Sequence, residues 1–142
     1  MNAYLDSSVF LRVLLNQKGR LKEFGKISRP VASLLLKTET LRTIDRLRTA
    51  GHIDSDQAVA LAAQAHESLG SVEFIPLTDT IMASAGGSFP VSLGTLDAIH
   101  LVSAQMWTLS FKEDLAFLTH DEQLGKAAMA SGFKVLGMRQ PT

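Results

Sequence analysis

The 142-residue chain contains no cysteine, which excludes a disulfide framework and any thiolate zinc site. Its four histidines (His52, His66, His100 and His120) are dispersed, so no cluster with zinc-ligand spacing is present. The pattern GxxxxGK[ST] is missing, which excludes a P-loop enzyme. No apolar stretch approaches transmembrane length, and the opening MNAYLDSSVF has neither a basic n-region nor a long apolar h-region. Repeats and low-complexity segments are also lacking. These absences lead us to expect a soluble protein of a reducing, cytoplasmic compartment with no membrane partner.

What is present describes a packed globular chain. Hydrophobic residues make up 46% and charged residues 20%, a balance that fits one domain spanning residues 1–142. The 14 basic and 14 acidic residues cancel overall, but they are unevenly spread. Between Arg12 and Arg48 lie ten basic side chains against Glu23, Glu39 and Asp45. Such a split marks either a polyanion-binding face beside an acidic site or two solvated helices.

Strand-like and helical patterns alternate. NAYL (2–5) reads as a short strand, and SSVFLRVLL after it as a helix. Residues 16–30 form a basic helix or loop, and the apolar run from Val31 leads into a helix ending near Ala50. A second long helix follows from Asp54 to Leu69, stopped by Gly70. VEFIPL (72–77) is a strand, with Thr78 or Asp79 capping a short helix. GGSFPVSLG (86–94) is a loop, and Thr95 opens a helix to about Trp107. LAFLT (115–119), DEQLGKAAMASG and FKVLGM then read as strand, helix and strand. This alternation predicts an α/β fold around a largely parallel sheet.

Four acids stand out: Asp6, Glu39, Asp97 and Asp121. Asp6 and Asp121 follow predicted strands, at the sheet edge where open parallel sheets bind ligands. Taken singly, each reads more readily as a helix N-cap; two such junctions in one short chain strengthen the functional reading. Glu39 shares a flank with Leu35 on a helix whose core side carries Leu36, Ile44 and Leu47; its alternative is a surface salt bridge with Arg42 or Arg46. Asp97 lies among Leu93, Leu96, Ala98 and Ile99 and shares a face with His100 and Leu101, which argues for an inward-facing acid. Four gathered carboxylates repel one another unless a hard divalent cation joins them. Mg2+ or Mn2+ chemistry at a phosphate is therefore expected.

At these residues the chain resembles the PIN-domain proteins, specifically the VapC-type toxin ribonucleases. YLDSSV, SLLLKTETLR, GTLDAIHLVSA and LTHDEQL match in order and spacing across nearly the whole length. The resemblance implies a three-layer α/β/α sandwich with a mainly parallel central sheet. It also implies an Mg2+- or Mn2+-dependent endoribonuclease, a cognate VapB-type antitoxin and a homodimer. Asp6, Glu39, Asp97 and Asp121 correspond to the family's acidic metal site, with Ser8 and Thr119 where small hydroxyl residues support it. In the mechanism so implied, Asp6, Asp97 and Asp121 hold the cation, and Glu39 binds it or orients the attacking water, leaving a 5′-phosphate product. His100 is read as packing or support. Arg12, Arg42 and Arg46 are candidate RNA contacts. The antitoxin is expected along the helices at 34–50 and 54–69, placing an arginine in the acidic site. Lys37-Thr38 departs from the more apolar residues common before this glutamate.

Competing readings fit less well. A haloacid dehalogenase-type phosphotransferase needs a second aspartate where Ser8 stands, and a receiver domain needs paired acids and a late lysine. Asp79 and Glu122 are read as a cap and a helix-start charge. The alternative from another class is a non-catalytic RNA-binding or protein-interaction module that retains the fold.

Overall fold

The computed structural model describes residues 1–139. Five parallel strands, β1 (Asn2–Leu5), β2 (Arg29–Ser33), β3 (Glu73–Ile75), β4 (Ala116–Leu118) and β5 (Val135–Leu136), form one sheet in the order β3-β2-β1-β4-β5. Helices α1 (Ser7–Leu14), α2 (Leu35–Thr49), α3 (Ser55–Leu69), α4 (Asp79–Ala85), α5 (Thr95–Phe111) and α6 (Glu122–Ala130) connect the strands, with a 3₁₀ turn at Lys22–Lys26.

Strand alternation sorts the core into two halves. Tyr4, Val31, Ile75 and Phe117 point to one face, where they pack with Ile81 of α4, Ile99, Leu101 and Trp107 of α5, and Leu124 and Ala127 of α6. Ala3, Leu5, Ala32 and Leu118 point to the other, against Val9 and Phe10 of α1, Leu36 and Ile44 of α2, and Ala65 and Leu69 of α3. The result is a three-layer α/β/α sandwich. No helix among the described residues is long and apolar enough to cross a membrane.

Local chemistry explains most boundaries. Asp54 and Gln57 form a reciprocal capping box at the start of α3. Thr78, rather than Asp79, is the cap of α4, with its hydroxyl accepting from the Ile81 N–H at 3.2 Å. Glu122 is the first residue of α6, beside the cap Asp121. β2 departs from the sequence reading, which ran residues 31–36 into a helix. An unbroken apolar run carries no period, and Pro30 near the strand start loses only one ladder donor. α5 is also four residues longer than expected, ending at Phe111 before a left-handed Lys112.

The strand order reverses between β1 and β4, because the chain steps outward through β2 and β3 and then returns to the other side of β1. Such a switch point leaves a crevice at the carboxyl ends of the two central strands. Asp6 directly follows β1, and Thr119, His120 and Asp121 directly follow β4.

Candidate active site

Asp6 is 3% exposed and sits at the N-cap position of α1, yet its side chain caps nothing. Its Oδ2 instead accepts from the Ser8 hydroxyl at 2.6 Å and the Thr119 hydroxyl at 2.7 Å. Thr119 Oγ1 in turn accepts from the Asp121 N–H at 3.0 Å, and Ser8 Oγ accepts from the His120 N–H at 2.9 Å. Two short hydroxyl side chains thus tie the ends of β1 and β4 together around one carboxylate. Asp6 Oδ1 makes no hydrogen bond among the described residues and lies 3.9 Å from His100 Nε2.

Glu39 reaches the same crevice from the second turn of α2. It pairs with neither Arg42 nor Arg46. Its Oε1 lies 2.5 Å from His100 Nε2, and its Oε2 accepts from the Ser7 hydroxyl at 3.3 Å. Arg42 pairs with Asp45, and Arg46 donates to the Thr43 hydroxyl. Lys37 stacks over Phe74 with Nζ 4.6 Å from the ring centroid, so the polar residue before this segment is accommodated on the surface.

His100 is fully buried on α5 and bridges outward. Its Nδ1 lies 2.6 Å from the Tyr4 hydroxyl. Burial alone would lower the imidazole pKa, but the Glu39 hydrogen bond and the charges of Asp6, Glu39 and Asp97 raise it on balance. Tyr4, stacked on Phe117 at 5.0 Å, has its phenol pKa pushed well above the usual value, chiefly by burial. The sequence reading passed over Tyr4 and Ser7. Tyr4 could have been found from strand alternation, since it precedes Asp6 by two residues on the β1 face that α5 covers.

Asp97 is half-buried in the first turn of α5 and makes no hydrogen bond among the described residues. Its pKa is raised from 3.8 to about 6, first by desolvation and then by the negative charges of Asp121 and Asp6. Asp121 is exposed and does cap α6, with Oδ1 accepting from the Leu124 N–H at 2.8 Å; its Oδ2 is free of hydrogen bonds among the described residues. Asp6 Oδ1, both Asp97 oxygens and Asp121 Oδ2 are therefore the acceptors open to a hard cation. Among the described residues, however, no three His, Asp or Glu side chains stand close enough together to hold a metal ion. The acids feel one another electrostatically without being drawn to ligand distances, as mutually repelling like charges are expected to be.

The PIN domain family profile matches residues 3–129. The site just described, at the switch point of a parallel α/β/α sandwich, thus belongs to a chain that is a member of the PIN domain family. Among curated proteins, the chain is 28% identical over 137 residues to Ribonuclease VapC46 of Mycobacterium tuberculosis (strain ATCC 25618 / H37Rv), covering 94% of this chain and 95% of that one. It is 25% identical over 138 residues to Ribonuclease VapC47 of Mycobacterium tuberculosis (strain CDC 1551 / Oshkosh), covering 92% of each. Among solved structures, one chain of a toxin-antitoxin complex from Klebsiella pneumoniae shares the fold with a TM-score of 0.66 at 14% identity, covering 95% of this chain and 96% of that one.

Proposed function

We propose that this protein is an endoribonuclease, the toxin of a toxin–antitoxin pair, and that its carboxylates use Mg2+ or Mn2+ to hydrolyse RNA. The observation that carries this reading is the environment of Asp6. A buried carboxylate at the switch point keeps one oxygen open while Ser8 and Thr119 fix the other, beside an Asp97 whose charge is already disfavoured first by burial and then by Asp121 and Asp6. Such a donor set is all oxygen and acidic, which suits a hard cation and no soft one. The names of the two mycobacterial relatives add support for ribonuclease activity.

Asp6, Asp97 and Asp121 would hold the cation, with Glu39 beside them. Bound there, the cation supplies charge neutralisation for the phosphate and a lowered pKa for water. Ser8 and Thr119 keep the Asp6 plane from rotating. His100 keeps Glu39 aimed into the crevice, and α5 closes the buried side against solvent. A cognate antitoxin and a homodimer complete the proposal, the antitoxin lying along α2 and α3.

The test is cleavage of single-stranded RNA by purified protein with Mg2+ or Mn2+, with a chelator control and Asp6→Asn. Cleavage by the wild type alone, and only with metal, is expected. Full activity of folded Asp6→Asn would sink the proposal. A non-catalytic binding module is the second reading, favoured by the absence of three acids at ligand distance among the described residues. Titration calorimetry separates the two: carboxylate-dependent heat with Mn2+, lost in Asp97→Asn, is expected of the nuclease and not of the module.

A further inference from the structure

The basic excess between Arg12 and Arg48 is not one surface. Arg29 is bound by Glu73 and Glu113, Lys37 lies over Phe74, and Arg42 and Arg48 share Asp45. Of the cations without an acid partner among the described residues, which also include Lys26 and Arg46, one group gathers elsewhere. Arg12, Lys18, Arg20 and Lys22 join Arg139 along a groove of about 1010 Å³, whose lining includes a single acid, Glu23. Arg12 and Arg20 each spend a guanidinium hydrogen bond on a neutral oxygen, that of the Gly19 carbonyl and the Asn16 side chain respectively, so their charge is uncompensated.

Local backbone chemistry builds this groove. Asn16 and Gly19 both take left-handed conformations, at φ 52° and 78°, and fold the chain back after α1. That reversal sets Lys18, Arg20 and Lys22 across from the segment after β5. The groove meets the acids at His120, which lines it and lies between Thr119 and Asp121. Arg12, six residues beyond Asp6, is displaced from it by about 9 Å along α1.

We propose that this groove is the track along which a single-stranded RNA backbone approaches the acidic crevice, an inference that rests on the ribonuclease reading above. A cluster of carboxylates repels a polyanion, so a substrate strand needs cations beside the site, and these are the unneutralised ones that adjoin it. The groove lining carries Leu136 and Met138 but no phenylalanine, tyrosine or tryptophan. Without stacking platforms, binding is dominated by phosphate contacts and depends strongly on salt and weakly on base sequence.

The test is fluorescence anisotropy with a labelled single-stranded RNA of mixed sequence, in chelator so that nothing is cut, across a range of salt. Lys18→Ala/Arg20→Ala/Lys22→Ala is compared with wild type and with Lys126→Ala/Lys134→Ala. For single strands each phosphate contact contributes about 0.7 to the slope of log K against log salt, so losing three lowers it by about 2. Binding at low salt should weaken on the order of tenfold or more, with the control near wild type and unfolding temperatures unchanged. Wild-type binding that the triple variant reproduces in affinity and slope overturns the groove and leaves the nuclease reading standing. Unchanged RNA binding with lost affinity for a polyglutamate peptide also overturns it, by assigning the groove to an acidic protein segment. A wild type that neither binds nor cuts RNA removes both.

Discussion

His100 is clamped between Tyr4 and Glu39, with Nδ1 2.6 Å from the phenol oxygen and Nε2 2.5 Å from the carboxylate. The phenol oxygen also accepts from the Ser33 N–H at 3.2 Å. With neutral imidazole every donor in this chain is used once: Ser33 N–H to Tyr4, Tyr4 O–H to Nδ1, and Nε2–H to Glu39. The relay links β2, β1 and α5 to Glu39, the one of the four candidate site acids that lies on α2.

Tyr4→Phe is therefore expected to leave the Ser33 N–H and His100 Nδ1 without a partner, destabilising the fold by about 1–3 kcal/mol in urea titration. Cleavage should fall by about tenfold or more through misplacement of Glu39, with KM for RNA unchanged because Tyr4 is fully buried. A wild-type kcat in a destabilised but folded variant would reduce the relay to a packing feature.

Asp97 gives a pH dependence of a definite sign. Its folded pKa of about 6 exceeds the ordinary 3.8, so the native state binds the extra proton between those values. Stability of the metal-free protein should then decline as pH rises through that window. Thermal unfolding of wild type and Asp97→Asn should diverge there, the variant showing the flatter profile. Asp121→Asn should lower the Asp97 pKa, measured by carboxyl NMR, since Asp121 is the largest charge contribution raising it. Parallel profiles for wild type and Asp97→Asn would contradict this account.

At the opposite end of the sheet, Arg29 stacks on Trp107 and Phe111 at 4.9 and 4.8 Å while Glu73 accepts from both Arg29 and Trp107. The Arg29 hydrogen bond holds the Glu73 carboxyl below its usual range against the opposing effect of burial. Its contribution is present above the ordinary carboxylate pKa and is lost as pH falls through the depressed folded value. Glu73→Gln should lower Tm at neutral pH and flatten the acid limb, with RNA cleavage unaffected. An acid limb as steep as wild type would show that other carboxylates control it.

Gly137 takes φ 105°, and a Cβ there would fall 2.5 Å from the Thr119 carbonyl oxygen. Gly132 has φ 95° with nothing within 4 Å of a Cβ. Gly132→Ala should cost only backbone strain, on the order of 1 kcal/mol, and retain cleavage. Gly137→Ala should also displace the end of β4 that holds Asp6 through Thr119, so activity should fall with stability. Equal activity of the two variants would show that the strand end tolerates the shift.

The sequence by itself determined the alternation of strands and helices, and it singled out the four acids as candidates, because periodicity and residue chemistry are local; which of them cap a helix it left open. Its family resemblance pointed to the sandwich that the strand order now defines. β2 was hidden, since a short buried strand running into an apolar helix start leaves no period to detect. Only the tertiary structure decided the roles. Asp6 looked like a cap and is instead held by Ser8 and by Thr119, the latter 113 residues away in sequence; Glu39 looked able to pair with nearby arginines and pairs with His100, 61 residues away. The charge pattern likewise could not distinguish Arg29, consumed by two ion pairs and two rings, from Lys18 and Arg20 at an open groove. Hydrogen-bond partners and charge neutralisation depend on which strand ends meet, and the crossover that brings β4 beside β1 sets that.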